Sequence, residues 1–298
     1  MNTQNPYFSL IIPTYERPEQ LTRCLNSVAR LEYPKEKFEV IVVDDGSAAP
    51  PEELVKSFLD KLDIRLITQV NAGPAGARNT GAKNANGRYL AFTDDDCEPE
   101  PFWLQEYENA FEIYPENLLG GDIINALEDN PYSMASQLLV NYLYSYYNTG
   151  PESASFFTSN NIAMPKEGFL ESGEFDVTTL RATAEDRELC DRWLYQGRKL
   201  TYIDKAVVYH SHKLSFTTFW RQHFNYGRGA YYFRKVRAIR GQEKIKLEPA
   251  SFYTGLVGYP YKRKVENLYF TSFLMVLSQI ANALGYYWEK AVRTLNST

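Results

Sequence analysis

Cysteine is scarce in this chain. Cys24, Cys97 and Cys190 are the three in 298 residues, far apart and odd in number. They match no metal-ligand or redox spacing, which argues against a disulfide framework and for a reducing cytoplasm. Positive charge is also short, with 32 Lys and Arg against 37 Asp and Glu and a net charge of −5. That balance argues against a general nucleic-acid binder. Met1 to Pro6 is short and polar and lacks the pattern of a secretory signal. No internal repeat or low-complexity tract is evident. One long oily run exists, Leu268 to Trp288, but Thr271, Ser272, Ser278, Gln279 and Asn282 interrupt it. A membrane span needs ~20 predominantly apolar residues, so this run is borderline.

What is present suits an α/β protein. The length accommodates one large α/β domain or a domain plus an appendage. Four β-branched apolar runs read as strands: Phe8–Thr14, Phe38–Asp44, Ile64–Gln69 and Arg88–Thr93. Amphipathic stretches separate them, at Pro18–Leu31, Glu52–Leu62 and Pro74–Asn84. This alternation predicts a parallel sheet flanked by helices, with ligands at the carboxyl ends of the strands. Further on, Pro101–Tyr114, Tyr132–Tyr147 and Ala184–Tyr195 read as helices, and Leu118–Ala126 and Lys199–Tyr209 as strands. The 23 Tyr and 17 Phe fill a core or offer surfaces on which sugars stack.

Polar residues gather at the strand ends. Asp94-Asp95-Asp96 directly follows Tyr89-Leu90-Ala91-Phe92. Three adjacent carboxylates need a cation, and hard divalent ions prefer oxygen ligands. In an extended loop alternate side chains share a face, so Asp94 and Asp96 would face one ion and Asp95 would turn elsewhere. Thr14-Tyr15-Glu16-Arg17 ends the first strand, with Pro18 suited to a first helical turn. Asp44-Asp45-Gly46-Ser47 ends the second: a carboxylate there can accept a nucleobase N–H, or the segment is a turn with Ser47 capping a helix. Asn71 to Ala82 is rich in Gly and Ala, which lets a helix approach a ligand or a strand closely. Arg78, about one turn in, reaches diphosphate oxygens or makes a surface salt bridge. Glu185-Asp186 opens a helix, where acids also suit the dipole. His210 ends a strand, with His212 and His223 as rivals for any role in metal binding.

Taken in order, five segments resemble family 2 glycosyltransferases of the GT-A fold. They are Ile11-Ile12-Pro13-Thr14-Tyr15-Glu16-Arg17, Val42-Val43-Asp44-Asp45-Gly46-Ser47, Asn71 to Ala82, Phe92-Thr93-Asp94-Asp95-Asp96, and Glu185-Asp186. The resemblance implies an inverting enzyme with a nucleotide-sugar donor (UDP-, GDP- or dTDP-linked) and a Mn²⁺ or Mg²⁺ ion. It also implies a glycan or lipid-linked hydroxyl acceptor. By likeness, Thr14, Glu16 and Asp45 contact the nucleoside, with Tyr15, Arg17, Asn71 and Asp95 in the same donor site. Arg78 lies at the base or diphosphate. Asp94 approaches ribose and metal, Asp96 binds metal, and His210 matches a third metal ligand. Asp186 is the implied catalytic base, with Glu185 beside it. Trp220 to Gly229 resembles a flexible segment in which Arg221 and Gln222 reach diphosphate or acceptor. A sugar-nucleotide-forming nucleotidyltransferase and a non-catalytic sugar-nucleotide-binding subunit are the rival readings. The first is disfavoured because Thr14 to Pro18 is not Gly-rich.

The expected division is a catalytic domain at 1–215, with a nucleotide-sugar half at about 1–97 and an acceptor half at about 98–215, and a helical extension at 216–298. From Asn225 to Lys246 there are seven Lys or Arg and one acid, Glu243. With the oily helix nearby, residues 225–288 suggest peripheral contact with the inner face of the cell membrane. A helix covering the core or docked on a partner is the other reading of 268–288. The family likeness points to cell-surface polysaccharide or glycolipid assembly.

Overall fold

The structure is a computed structural model that describes residues 6–150, 153–177, 183–242 and 248–295. The chain folds as two compact units. One comprises Met1–Ile124, Tyr147–Val177 and Glu185–Ser211; the other comprises Asn125–Tyr146, Thr178–Ala184 and His212–Thr298.

The first unit is built on an eight-stranded sheet. In chain order its strands are β1 (Phe8–Thr14), β2 (Phe38–Asp44), β3 (Ile64–Thr68), β4 (Tyr89–Thr93), β5 (Cys97–Pro99), β6 (Leu118–Asn125), β7 (Asn161–Pro165) and β8 (Leu200–His210). They lie in the order β3-β2-β1-β4-β7-β6-β8-β5. The stretch β3-β2-β1-β4 is parallel, with Thr14 opposite Asp44 and Asp44 opposite Thr68. Parallel register places the carboxyl ends of these strands along one edge, where the loops carrying Thr14–Arg17, Asp44–Ser47, Asn71 and Asp94–Asp96 emerge. β4 and β7, β6 and β7, and β5 and β8 pair antiparallel.

β1 and β2 are buried along their whole length. Both are continuous apolar runs because helices cover both faces. The two polar residues inside them are matched. Ser9 donates to Glu39 Oε1 at 2.6 Å, and Arg65 and the Asn86 backbone N–H also reach the Glu39 carboxylate. Burial works to raise its pKa, but these partners hold it below the usual carboxylate range.

The helices of this unit are α1 (Pro18–Ala29), α2 (Glu52–Lys56), α3 (Gly73–Asn84), α4 (Trp103–Ile113), α6 (Lys166–Ser172) and α7 (Glu185–Tyr195); α5 (Pro131–Tyr147) ends at its boundary. α1 starts with Pro18 in its first turn, as the sequence predicts. α2 is shorter than the Glu52–Leu62 expectation. Bonds from Phe58 N–H to Val55 and from Lys61 N–H to Phe58 turn the chain tightly after Lys56 instead of continuing the helix. The small residues of α3 serve packing on the sheet. A Cβ on Gly81 would stand 2.5 Å from Ile11 Cγ2, so the close approach there is to strands, not to a ligand. All three cysteines are buried free thiols.

The second unit is helical: α5, α8 (Phe216–Ile239), α9 (Ala250–Lys262) and α10 (Leu268–Leu295). α8 begins with a capping box in which Ser215 and Thr218 exchange bonds. Trp220 to Gly229 lies inside this helix, and so does not form the flexible segment expected there. Gln222 donates to Ser136 and Tyr226 within the unit. One apolar cluster joins Leu138 and Tyr142 of α5 to Phe252 and Leu256 of α9 and Met275 of α10. α8 and α10 cross at glycines: a Cβ on Gly227 would meet the Asn282 carbonyl, and one on Gly285 the Phe224 carbonyl. Glu289 of α10 accepts from Arg228 Nε at 2.7 Å and from the Tyr232 hydroxyl.

The polar stripe of α10 faces inward. Thr271 and Ser278 are each 1% exposed, whereas Tyr269 is 90% and Phe273 57% exposed. Of the basic block, Glu243 to Lys246 lies outside the described residues.

Candidate active site

The acidic triplet forms a turn. Cys97 N–H donates to the Asp94 carbonyl at 3.0 Å. The extended geometry expected from the sequence is therefore absent, and Asp95 and Asp96 both reach Arg17 Nη1. The turn is pinned to the end of β8, because Ser211 N–H donates to the Asp96 carbonyl at 2.8 Å and Cys97 pairs with His210.

Asp95 and Asp96 share Arg17, while Thr14, His210 and Arg78 each serve one carboxylate. Asp95 points into the fold, where Thr14 donates to Oδ2 at 2.7 Å and Arg17 Nη1 stands 3.3 Å from Oδ1. Burial pushes the Asp95 pKa up to about 7, Asp96 adds to the rise, and Thr14 and Arg17 oppose it. Asp96 Oδ2 lies 3.2 Å from Arg17, and its Oδ1 lies 3.4 Å from His210 Nε2. Burial works against charge on His210, yet Asp96 and Asp94 hold its pKa above the ordinary value. Asp94 Oδ1 accepts from Arg78 Nη2 at 2.6 Å.

Arg78 is not a surface residue. It is 3% exposed, with Nη1 3.5 Å from Glu185 Oε1 and its guanidinium 5.6 Å from the Phe175 ring centre. Burial disfavours its charge, but Asp94, Glu185 and Asp186 together keep it protonated more firmly than usual. The neighbouring Asn79 exchanges bonds with the Phe175 backbone at 2.9 and 3.0 Å, which holds that ring beneath the guanidinium. Phe175 was not foreseen: it lies almost a hundred residues from α3, and nothing local to it signals the contact.

Asp186 follows Glu185 at the start of α7. The preceding Ala184 has φ of 72°. A non-glycine residue in this left-handed region costs about 1–3 kcal/mol, so packing must enforce the entry into α7. Burial, and then the adjacent Glu185 carboxylate, push the Asp186 pKa upward; Arg78 pulls against them.

At the end of β2, Asp45 is already engaged. Its Oδ1 accepts from Gln69 Nε2 at 2.7 Å and Ala72 N–H at 2.9 Å, and its Oδ2 from Gly73 N–H at 2.8 Å. It thus holds the beginning of α3, a role in which Gln69 was not anticipated. Gly46 has φ of 85°, and a Cβ there would stand 3.0 Å from the Asn71 backbone nitrogen. Only glycine suits both the angle and the space. Asn71 itself is exposed. Ser47 does not cap α2. Its N–H donates to Asp44, and its hydroxyl accepts from Glu16 N–H at 2.9 Å. Glu16, with φ of 55°, returns its carboxylate to Ala48 N–H at 2.7 Å. Tyr15 is half-exposed beside it.

Three linked groups result. Thr14, Arg17, Asp95, Asp96 and His210 form one; Arg78, Asp94 and Glu185, with Asp186 next in the chain, form a second; Asp45, Gln69 and the start of α3 form a third. The triplet turn joins the first two, and α3 joins the second to the third.

Known proteins resemble this chain in sequence and in fold. Residues 9–173 match the model of the family described as glycosyl transferase family 2. The chain is 39% identical over 126 residues to glycosyltransferase AglE of Haloferax volcanii, covering 41% of each protein. It is 30% identical over 216 residues to the pre-mycofactocin glycosyltransferase of Mycobacterium tuberculosis, covering 69% of this chain and 43% of that protein. The chain spans well under half the length of these curated relatives. Among solved structures, a mannosyltransferase from Pyrobaculum calidifontis in complex with GDP-Man and Mn²⁺ superposes with a TM-score of 0.67 at 16% identity, covering 97% of this chain and 89% of that one. Residues 1–349 of TarS from S. aureus in complex with UDP-GlcNAc give 0.54 at 19% identity, covering 96% and 91%. With over half of its length matching the family model, and a sheet like that of GT-A enzymes, the chain belongs to glycosyl transferase family 2.

Proposed function

We propose that this chain is a metal-dependent inverting glycosyltransferase that moves a sugar from a nucleotide-sugar donor to a hydroxyl acceptor. The observation that carries the reading is Arg78. One buried guanidinium spans Asp94 of the triplet turn, at 2.6 Å, and Glu185 beside Asp186, at 3.5 Å. It ties the donor-side carboxylates to the helix start that bears the base.

In this reading Asp186 takes the proton of the acceptor hydroxyl as its oxygen attacks the anomeric carbon. The bond to the leaving nucleoside diphosphate breaks on the opposite face, so the configuration inverts. A carboxylate whose pKa lies above its usual range suits a general base near neutral pH. Arg78 and Arg17 supply positive charge where diphosphate oxygens would lie. Thr14, Tyr15, Glu16, Asp45 and Asn71 flank the donor nucleoside, and Asp95 fixes Arg17 and Thr14.

Asp96 and His210, with Asp94 in the same turn, offer carboxylate oxygens and an imidazole nitrogen. This donor set fits Mn²⁺, and Mg²⁺ less well because of the imidazole. When bound there, the ion would neutralise the leaving diphosphate as a Lewis acid. The neighbours named with GDP-Man and Mn²⁺ and with UDP-GlcNAc support the class of donor. We also carry into this reading the cytoplasmic location, the role in cell-surface polysaccharide or glycolipid assembly, a catalytic domain at 1–215, and peripheral membrane contact through 225–288.

A panel of UDP-, GDP- and dTDP-sugars, scanned for thermal stabilisation with and without Mn²⁺, tests the proposal. Selective binding raises stability by mass action. One donor should stabilise the wild type in the presence of Mn²⁺ and fail to stabilise Asp96→Ala. Stabilisation of both proteins to the same extent with and without metal would reject the site.

A further inference from the structure

α10 is apolar on its outward side as well as on its inward one, where Leu274, Met275 and Ala281 are buried. Its polar residues Thr271, Ser278 and Glu289 are 1 to 2% exposed within the helical unit. Its outward side carries Tyr269, Phe273, Val276, Ile280, Leu284 and Tyr287, all at least one-third exposed. Steps of three or four residues place these on one continuous stripe. At 1.5 Å per residue the stripe from Tyr269 to Trp288 runs ~29 Å. The inner side packs as helices do in lipid, with small residues at the crossing and polar groups bonded between helices. Gly227 and Gly285 make that crossing, and Glu289 takes bonds from Arg228 and Tyr232.

What covers the stripe is indicated by its ends. Tyr269 and Phe270 are exposed at one end, Tyr287 and Trp288 at the other. Tyr and Trp favour the boundary between headgroups and hydrocarbon. Lys262 and Lys264 lie exposed just before the helix, and Lys290 lies exposed on its last turns. Lysine beside an apolar stripe matches an anionic headgroup layer.

We infer that the outward stripe of α10 is a membrane-binding surface that lies in the interface of an anionic bilayer, with Phe273, Ile280 and Leu284 seated among acyl chains. The inference deepens the peripheral-contact reading by naming the face and the lipid class. It is independent of the transfer chemistry, since a chain that binds vesicles without transferring sugar, or the converse, separates the two.

The test is co-sedimentation of the full chain with vesicles of phosphatidylcholine alone and of phosphatidylcholine mixed with phosphatidylglycerol. Wild type should partition to the mixed vesicles, less so as salt rises, and the fluorescence of Trp288, identified by its loss in Trp288→Phe, should shift to shorter wavelength. Combined Phe273→Glu, Ile280→Glu and Leu284→Glu should weaken partitioning by about tenfold or more, because each removes a buried apolar group from lipid. If that variant misfolds by circular dichroism, Lys262→Gln with Lys264→Gln and Lys290→Gln should abolish the preference for phosphatidylglycerol. Equal partitioning of the wild type and a folded variant would overturn the inference. So would a lipid-free wild-type dimer in sedimentation velocity that ignores vesicles and becomes monomeric in the glutamate variant.

Discussion

The Thr14 hydroxyl donates to Asp95 Oδ2 at 2.7 Å, joining the end of β1 to the acidic turn across 81 residues of chain. Both residues are at most 5% exposed. Thr14→Val keeps the shape and removes the donor, leaving a buried carboxylate oxygen short of a partner. The expected cost is about 1–3 kcal/mol, read as a lower urea midpoint with an unchanged slope. Full stability in Thr14→Val would show that water or Arg17 replaces the hydroxyl.

Arg78→Leu should be far more severe. It strands Asp94 and Glu185 beside an apolar side chain, and breaking a buried ion pair on one side costs about 3–5 kcal/mol. Arg78→Lys retains charge but not the two-pronged reach, and should recover part of the loss. Equilibrium unfolding of both variants checks the ranking; equal stabilities would dismiss the bridge.

Asp186→Asn should keep donor binding, measured by calorimetry, while transfer falls by about 10²–10⁴, the usual worth of a positioned base. The pH profile gives a second check. The Asp186 pKa is raised by burial and by Glu185, so the active, ionised form accumulates at higher pH than for an ordinary carboxylate. The activity rise on the acidic limb should therefore lie above the usual carboxylate range, and Glu185→Gln should move it toward lower pH. A limb that stays in place in Glu185→Gln would break the link between the two acids.

His223 provides a test confined to the helical unit. It is buried against Phe219 and Tyr226, neither ring nitrogen has a hydrogen-bond partner, and burial, then His212, depress its pKa to about 3. The unfolded chain binds this proton near pH 6.5, the folded chain only near 3. Stability is thus intact above about pH 6.5 and declines by about 1.4 kcal/mol per pH unit as the pH falls between those values. His223→Phe should flatten that decline. A slope in thermal melts from pH 6.5 to 4 that matches wild type would remove His223 as its cause.

The parallel half of the sheet was legible in the sequence because its strands are continuous apolar runs that end in polar clusters. β1 and β2 begin and end at the expected residues. Ser153 to Ala163 reads as polar and short-stranded and overlaps β7, whereas β5 was not foreseen, because antiparallel pairing with distant β8 stabilises a three-residue segment too short to carry a period of its own. The polar residues at the strand ends were legible as types but not as partners: sequence placed Arg78 one turn into a helix, while its burial depends on Phe175 and Glu185 far along the chain. α10 shows a similar limit. Periodicity reveals which residues share a side of a helix, but the crossing of Gly227 in α8 with Gly285 in α10 decides which side is covered.

Asp45 holds the first N–H groups of α3 with the same oxygens that an incoming nucleobase would seek. In the proposed donor site, discrimination between bases and the reach of Arg78, farther along that helix, would thus be mechanically geared to one another. Retuning position 45 alone would then also move the helix that carries Arg78.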